Sequence, residues 1–458
     1  MIPGHGVTDG EWTPTEAKPG EAALYRSLVL LMATLYAVAA VVPLEVTDRF
    51  PTAARMLFGF DQLRPLGWFA FVLPVLVGVI LRLRWDRFIR SVDALLARIA
   101  GLSSRARVLL VLVAGTYSFT WFLGLRNQFI NPDGSVFSFK FHADIPVRGA
   151  TVSHDEMLEF YVHSRFWYHT NRAFGWTVEY SYQFLSSVAG AIVVVLLLAL
   201  GWVALGEKRW IVLVLGVATG GFMQLFFGDV ENYTLVTALI LLYLLTAYLY
   251  LEGRIGLLAP NVVLAVAITF HLLAAFLLAS LAFLYLVALQ RRQLLSVALA
   301  AVTLIAIPAA VVVYFHYHGL PFEVIRTSNA FGQAGGLQRF ATPSLEYHGQ
   351  IVSLLFLLFP PLLCFVPLLA YKRIALTRFN IFMGLAVIVF MGYIFIWRAD
   401  LGVYNDWNLY APAALPLAVF FWYNFARADW LVNKAGIAAA LILTSGVHSY
   451  AWIIRNHV

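Results

Sequence analysis

The sequence predicts an all-α, polytopic integral membrane protein that crosses the bilayer about thirteen times. Three observations carry this. Hydrophobic residues make up 61% of the 458 and charged ones only 12%, with a mean hydropathy of +0.81, far from the roughly 25% charged residues of a soluble domain. The apolar runs have the length that one helical crossing needs, roughly 20 residues, and they lack the apolar-polar alternation of a transmembrane barrel. Lys and Arg punctuate these runs and form no single long patch, so a net charge of +7 does not signal nucleic acid. A soluble enzyme with one anchor is excluded by the same numbers.

Residues 1–23 are polar, rich in Gly and Pro, and without the basic n-region and cleavage site of a signal peptide. They read as a disordered cytoplasmic tail. Apolar runs follow at 24–44, 66–81, 108–125, 181–204, 211–227, 234–251, 256–270, 272–290, 294–315, 351–371, 380–397, 409–425 and 435–454. The first two, with the basic linker 82–107, make up residues 24–107, and 426–458 carries a C-terminal helix. The linker has the pattern of a basic amphipathic helix on the anionic inner leaflet. The stretch 256–290 is too long for one crossing and short for two. Its break at Thr269-Phe270-His271 predicts two short helices turning inside the membrane. The single cysteine, Cys364, lies inside an apolar run and excludes an intrachain disulfide.

Basic residues concentrate in the segments that lie inside when the N-terminus is cytoplasmic, among them 82–107, Lys208-Arg209, Arg291-Arg292 and Lys372-Arg373. An odd number of crossings then puts the C-terminus outside. On this topology every chemically loaded polar segment falls on the outer face: 126–180, 228–233, the turn at His271, 316–350 and 398–408.

The segment 126–180 is the richest. Ser153 followed by Glu156 has the spacing of a capping box, and Met157, Phe160, Tyr161 and Tyr168 continue at helical spacing, so an amphipathic surface helix is expected from about residue 154. The cap would occupy Glu156 and leave Asp155 as the carboxylate available for base catalysis, with Glu156 the fallback. His142, Asp144, His154 and Asp155 together could hold a divalent cation, although no established metal-binding or nucleotide-binding motif is present. Asp229, Glu231 and Asn232 stand between two apolar runs, where charge is costly and tends to be functional or paired; capping of the helix from 234 is the structural alternative. His271 is the one His, Lys, Arg, Asp or Glu in its 35-residue stretch, and either a hydrogen-bonded core residue or a ligand. The loop 316–350, with Arg326 and Arg339, reads equally as a mobile lid over a phosphate-bearing lipid or as a connector. Arg398 precedes Asp406 and Asn408, and a guanidinium suits phosphate oxygens through paired hydrogen bonds.

Three segments resemble those of GT-C glycosyltransferases: Tyr182-Gln183-Phe184-Leu185-Ser186-Ser187-Val188-Ala189-Gly190-Ala191, Gly228-Asp229-Val230-Glu231-Asn232-Tyr233, and Asn405-Asp406-Trp407-Asn408-Leu409-Tyr410-Ala411-Pro412. The acidic pair Asp155-Glu156 in a first large outer loop matches the same plan, and the likeness covers roughly residues 108–425. It implies a GT-C-like fold in a bacterial inner membrane and an inverting transferase that moves a sugar from a polyprenyl-phosphate donor to an outer-face acceptor glycan, lipid or protein. A loop carboxylate would be the base, with Asp155 the nearest match and Glu156 next. Arg398, His271, Arg326 and Arg339 would hold the donor phosphate. Asp229, Glu231, Asn232, Asp406, Asn408 and His154 would be the other polar groups of the site. No cofactor is required by the resemblance. The two helices ahead of 108 depart from the usual plan, and so does the lack of an obvious large C-terminal outer domain, which speaks against oligosaccharide transfer to protein. A lipid or polysaccharide transporter or flippase, or a non-catalytic membrane subunit, is the alternative, but no internal repeat of the kind many transporters carry is visible.

Overall fold

The computed structural model describes residues 18–41, 76–78, 94, 102–128, 134–135, 137–142, 152–153, 155–205, 209–320, 322–323, 345–397, 403, 406–428 and 436–457. The run 66–81 and the linker 82–107 lie largely outside them. The described chain is helical apart from one parallel pairing of two two-residue strands, β1 (Val152–Ser153) and β2 (Phe322–Glu323).

Helix α1 (Glu21–Val41) begins slightly before the apolar run, and its first residue forms a buried ion pair with Arg373. Then come α2 (Ser104–Gly124), the amphipathic α3 (Met157–Phe174), α4 (Val178–Leu205), α5 (Arg209–Ala218), α6 (Thr234–Leu251), α7 (Leu258–Phe270), α8 (Leu278–Gln290) and α9 (Leu294–Tyr317). The chain ends with α10 (Leu345–Leu358), α11 (Phe365–Ala370), α12 (Arg378–Ile396), α13 (Trp407–Arg427) and α14 (Gly436–His457). Helix α13 is almost wholly buried and packs against α5, α6 and α12. By contrast α2 and α9 expose their leucines, valines and isoleucines, the surface that hydrocarbon can cover.

Among the described residues eight helices are long and apolar enough to cross a bilayer, or nine when the bent pair 347–370 counts as one. This does not confirm the expected thirteen: the run 66–81 lies largely outside the described residues, and breaks interrupt 211–227, 256–290 and 351–371. Residues 211–227 are not one crossing. Helix α5 stops after ten residues and continues, past Gly220, as a 3-10 turn at Gly221–Phe226. A Cβ at Gly221 would lie 2.0 Å from the Leu357 carbonyl oxygen, so the close approach of α10 requires glycine there. Residues 351–371 bend by 97° where Pro360-Pro361 end the helix, as proline must when it cannot donate to the ladder. The break at His271 is as expected: α7 ends at Phe270, His271 is extended, and a 3-10 turn (Leu272–Leu277) leads into α8. Helix α14 packs beside α1 and the Gly221–Phe226 turn, so the C-terminal helix belongs to the same bundle.

Candidate functional site

The described parts of the polar segments come together in this bundle, and the turn before α3 shows how. The expected capping box does not form. Residue 153 is drawn into the pairing with Glu323, α3 starts at Met157, and Glu156 occupies the N-cap position without a capping bond from its side chain. Its carboxylate turns inward. Oε2 accepts a hydrogen bond from Asn232 Nδ2 at 2.9 Å, and Oε1 lies 3.6 Å from His271 Nε2. Asp155 sits half-buried one residue earlier, and its main-chain carbonyl accepts the Leu272 amide at 2.7 Å.

His271 is aimed by its neighbours. The Leu273 amide donates to Nδ1 at 3.0 Å, which leaves the ring proton on Nε2, facing Glu156. Its ring packs 5.0 Å from that of Tyr233. The side chain expected among the phosphate ligands thus serves a carboxylate as well as the turn.

One turn into α3, on the same face as Glu156, Glu159 is fully buried. Its two oxygens accept the Leu235 and Val236 amides at 2.7 and 3.0 Å, at the start of α6. Burial pushes its carboxyl up to about 7, against the pull of those amides and of His271. His163, a turn further on, stacks on Tyr182 at 3.9 Å, and burial lowers it to about 3, so it stays neutral. Neither residue stood out in the sequence, because an acid and a histidine in an amphipathic helix read as its solvated face. The signal present was the three-residue spacing from Glu156 to Glu159, which puts both on one side.

The three motif segments are in mutual contact. Tyr182 donates its hydroxyl to Asn232 Oδ1 at 3.0 Å, Ser186 donates to the Asp229 carbonyl at 2.8 Å, and Asn408 Nδ2 lies 3.4 Å from Asp229 Oδ2. Gln183 donates to the Asn127 carbonyl at 2.8 Å, which ties in the chain leaving α2. Gly228, at φ +75°, lets the loop turn where a Cβ would meet Arg126 and Gln183. Asp229, Glu231, Asn232, Asp406 and Asn408 are all buried. The Trp397 carbonyl, just before Arg398, accepts the hydroxyls of Tyr410 at 2.9 Å and of Tyr347.

Arg326, Arg339, Arg398, Asp144 and His154 lie outside the described residues. His142 is exposed, its ring 5.0 Å from that of Trp167. Among the described residues no group of three or more His, Cys, Asp or Glu is placed to hold a metal ion.

Asp229 gives a pH test of this packing. Burial is the main cause that raises its carboxyl to about 7, above the ordinary value of roughly 4 that it regains on unfolding. The native state therefore keeps a proton that the unfolded chain releases between about pH 4 and 7. Its stabilising effect is complete below that window and lost as pH rises through about 7. Other buried groups titrate in the same window, Glu159 with the same sign and His163 with the opposite one. The test is therefore the difference between two proteins: thermal melting in detergent from about pH 4 to 7 should favour Asp229→Asn over wild type progressively as pH rises. A constant difference would show that Asp229 titrates normally.

No protein-family model matches the chain, and no curated protein does. Solved structures do. The crystal structure of ArnT from Cupriavidus metallidurans bound to undecaprenyl phosphate superposes with a TM-score of 0.53 at 14% identity, covering 77% of this chain and 79% of that one. The apo structure of the same protein gives 0.52 at 15% identity, over 77% and 78%. ArnT is a GT-C polytopic membrane glycosyltransferase.

This chain has the GT-C fold. At this level of identity the likeness is one of architecture, and sites must be argued from this chain's own side chains. Within the GT-C fold the region carrying Asp155 and Glu156 joins α2 to α4, and the structure closes it onto the loops before α6 and α8.

Proposed function

We propose that the protein is a membrane glycosyltransferase that moves a sugar from a polyprenyl-phosphate donor to an acceptor on the outer face of a bacterial inner membrane. The observation that carries this reading is the gathering of Asp155, Glu156 and His271 at one end of a GT-C fold. Undecaprenyl phosphate is the lipid bound by the ArnT structure, which favours a donor of the same chemistry. The excess of Lys and Arg at the opposite ends of the helices favours an extracytoplasmic site.

In this reading Asp155 is the base. It takes the proton of an acceptor hydroxyl as that oxygen attacks the anomeric carbon. The bond from that carbon to the phosphate oxygen breaks, the configuration inverts, and polyprenyl phosphate leaves with the bonding pair. Glu156, held by Asn232, and His271 fix the turn that carries Asp155. Negative charge on the leaving phosphate calls for cations near it, a task for Arg398 with Arg326 and Arg339, while His271 stands ready at the turn.

Arg398→Lys tests the donor side. An ammonium keeps the charge but not the planar fork, so the KM for the lipid donor should rise about 10-fold. A thermal-shift titration with undecaprenyl phosphate, against the unphosphorylated polyprenol, should show stabilisation by the phosphate alone, weakened in Arg398→Lys. Equal stabilisation by both lipids would remove the phosphate from the reading.

A further inference from the structure

We infer that Glu159 is a positioning residue that holds the turn bearing Asp155 and Glu156 in place by docking α3 on the start of α6. The inference rests on the reading of that turn as the seat of the base.

The first amides of a helix have no partner within it. In α6 the residue at the N-cap, Tyr233, makes no capping bond with its side chain. The Leu235 and Val236 amides are instead both taken by Glu159, which comes from another helix 76 residues earlier in the chain. A carboxylate suits this place twice over, since it offers two acceptors and complements the positive end of the helix dipole.

Within five residues three consecutive acids of the α3 start thus reach three separate places. Asp155 takes the Leu272 amide through its carbonyl, Glu156 takes Asn232, and Glu159 takes α6. Glu159 lies one turn from Glu156 on a rigid helix, so its two bonds fix the direction in which α3 leaves the turn. Loss of that anchor would let the turn move relative to the loop at 228–233 and the break at His271. Displacements of this kind, on the order of 1 Å, are enough to cost catalysis heavily without preventing substrate binding.

Glu159→Gln in the full-length protein is the test. Glutamine accepts one amide but sets its own NH2 against the other. Turnover with a polyprenyl-phosphate sugar should fall at least 10-fold while donor KM stays within about 2-fold. The remote variant Asn424→Leu, which breaks the buried Asn380–Asn424 pair, controls for lost stability. It should lower Tm comparably and leave turnover within about 2-fold. Equal loss of turnover in both variants would overturn the inference.

Amide exchange supplies a readout independent of activity. In Glu159→Gln the segment containing Leu235 and Val236 should exchange faster, and so should the one containing Leu272, whose amide bonds to Asp155 and not to Glu159. Continued protection of Leu272 would mean that Glu159 caps α6 and positions nothing. Faster exchange of both segments in Glu159→Gln, alongside a wild-type protein that transfers no sugar, would uphold the clamp and reject the reading of Asp155 as base.

Discussion

Asp155→Asn is expected to lower sugar transfer at least 100-fold while the protein still folds. Asparagine keeps the volume and much of the hydrogen bonding but cannot take the acceptor's proton, the step on which the attack depends. One bond that holds this residue runs from the Leu272 amide to its main-chain carbonyl, and the substitution leaves that bond intact. Turnover of wild type and variant, measured at matched detergent Tm, checks the expectation. Near-normal turnover in Asp155→Asn with loss in Glu156→Gln would transfer the role to Glu156, whose carboxylate already faces His271.

The second large effect lies at the other end of the sequence's polar groups. Arg373 pairs with Glu21 through Nε at 2.8 Å and through Nη2, and both side chains are buried, at 2% and 0% exposure. Arg373→Met removes the cation and leaves a carboxylate out of water, which costs about 3–5 kcal/mol. The damage should be concentrated where α1 meets α11, a junction that Lys18 also closes through the Tyr371 carbonyl. Thermal melting in detergent measures the loss. The double variant Glu21→Gln, Arg373→Met should recover much of it, because no buried charge is left behind. A single variant that melts with wild type would show that the pair does not hold α1 to the bundle.

The membrane class and the helical fold were legible because composition and run length decide them directly. So was the break at His271, a polar group in the middle of an apolar stretch. The two other breaks were present in the letters but outweighed by apolarity. Gly220-Gly221 ends α5 because α10 passes within contact distance, a fact of packing that no local pattern contains. Pro360-Pro361 stand inside a run that apolarity alone reads as one crossing, although a pair of prolines cannot continue a helix ladder. The polar segments 182–191, 228–233 and 405–412 were visible as motifs, but only the fold shows that Tyr182, Ser186 and Asn408 all bond to the one loop at 229–232.

Glu156 was misread for a physical reason. Ser153 and Glu156 have the spacing of a reciprocal cap, and in an isolated peptide that local arrangement competes well. Here a strand pairing with residues 322–323 takes the backbone at 152–153, and the helix starts four residues after Ser153 instead of beside it. Tertiary contacts then assign Glu156 to Asn232 and Glu159 to α6. The acids of this turn were recognisable as chemically important from charge near a membrane, whereas the partner of each depended on elements about 76 to 117 residues away.

Transfer itself is tested most directly by incubating the purified full-length protein with a panel of polyprenyl-phosphate sugars and following the release of polyprenyl phosphate. At least one donor should give time-dependent release in wild type that Asp155→Asn lacks. Release at equal rates in both proteins, or from no donor at all, would contradict a glycosyltransferase built on this carboxylate.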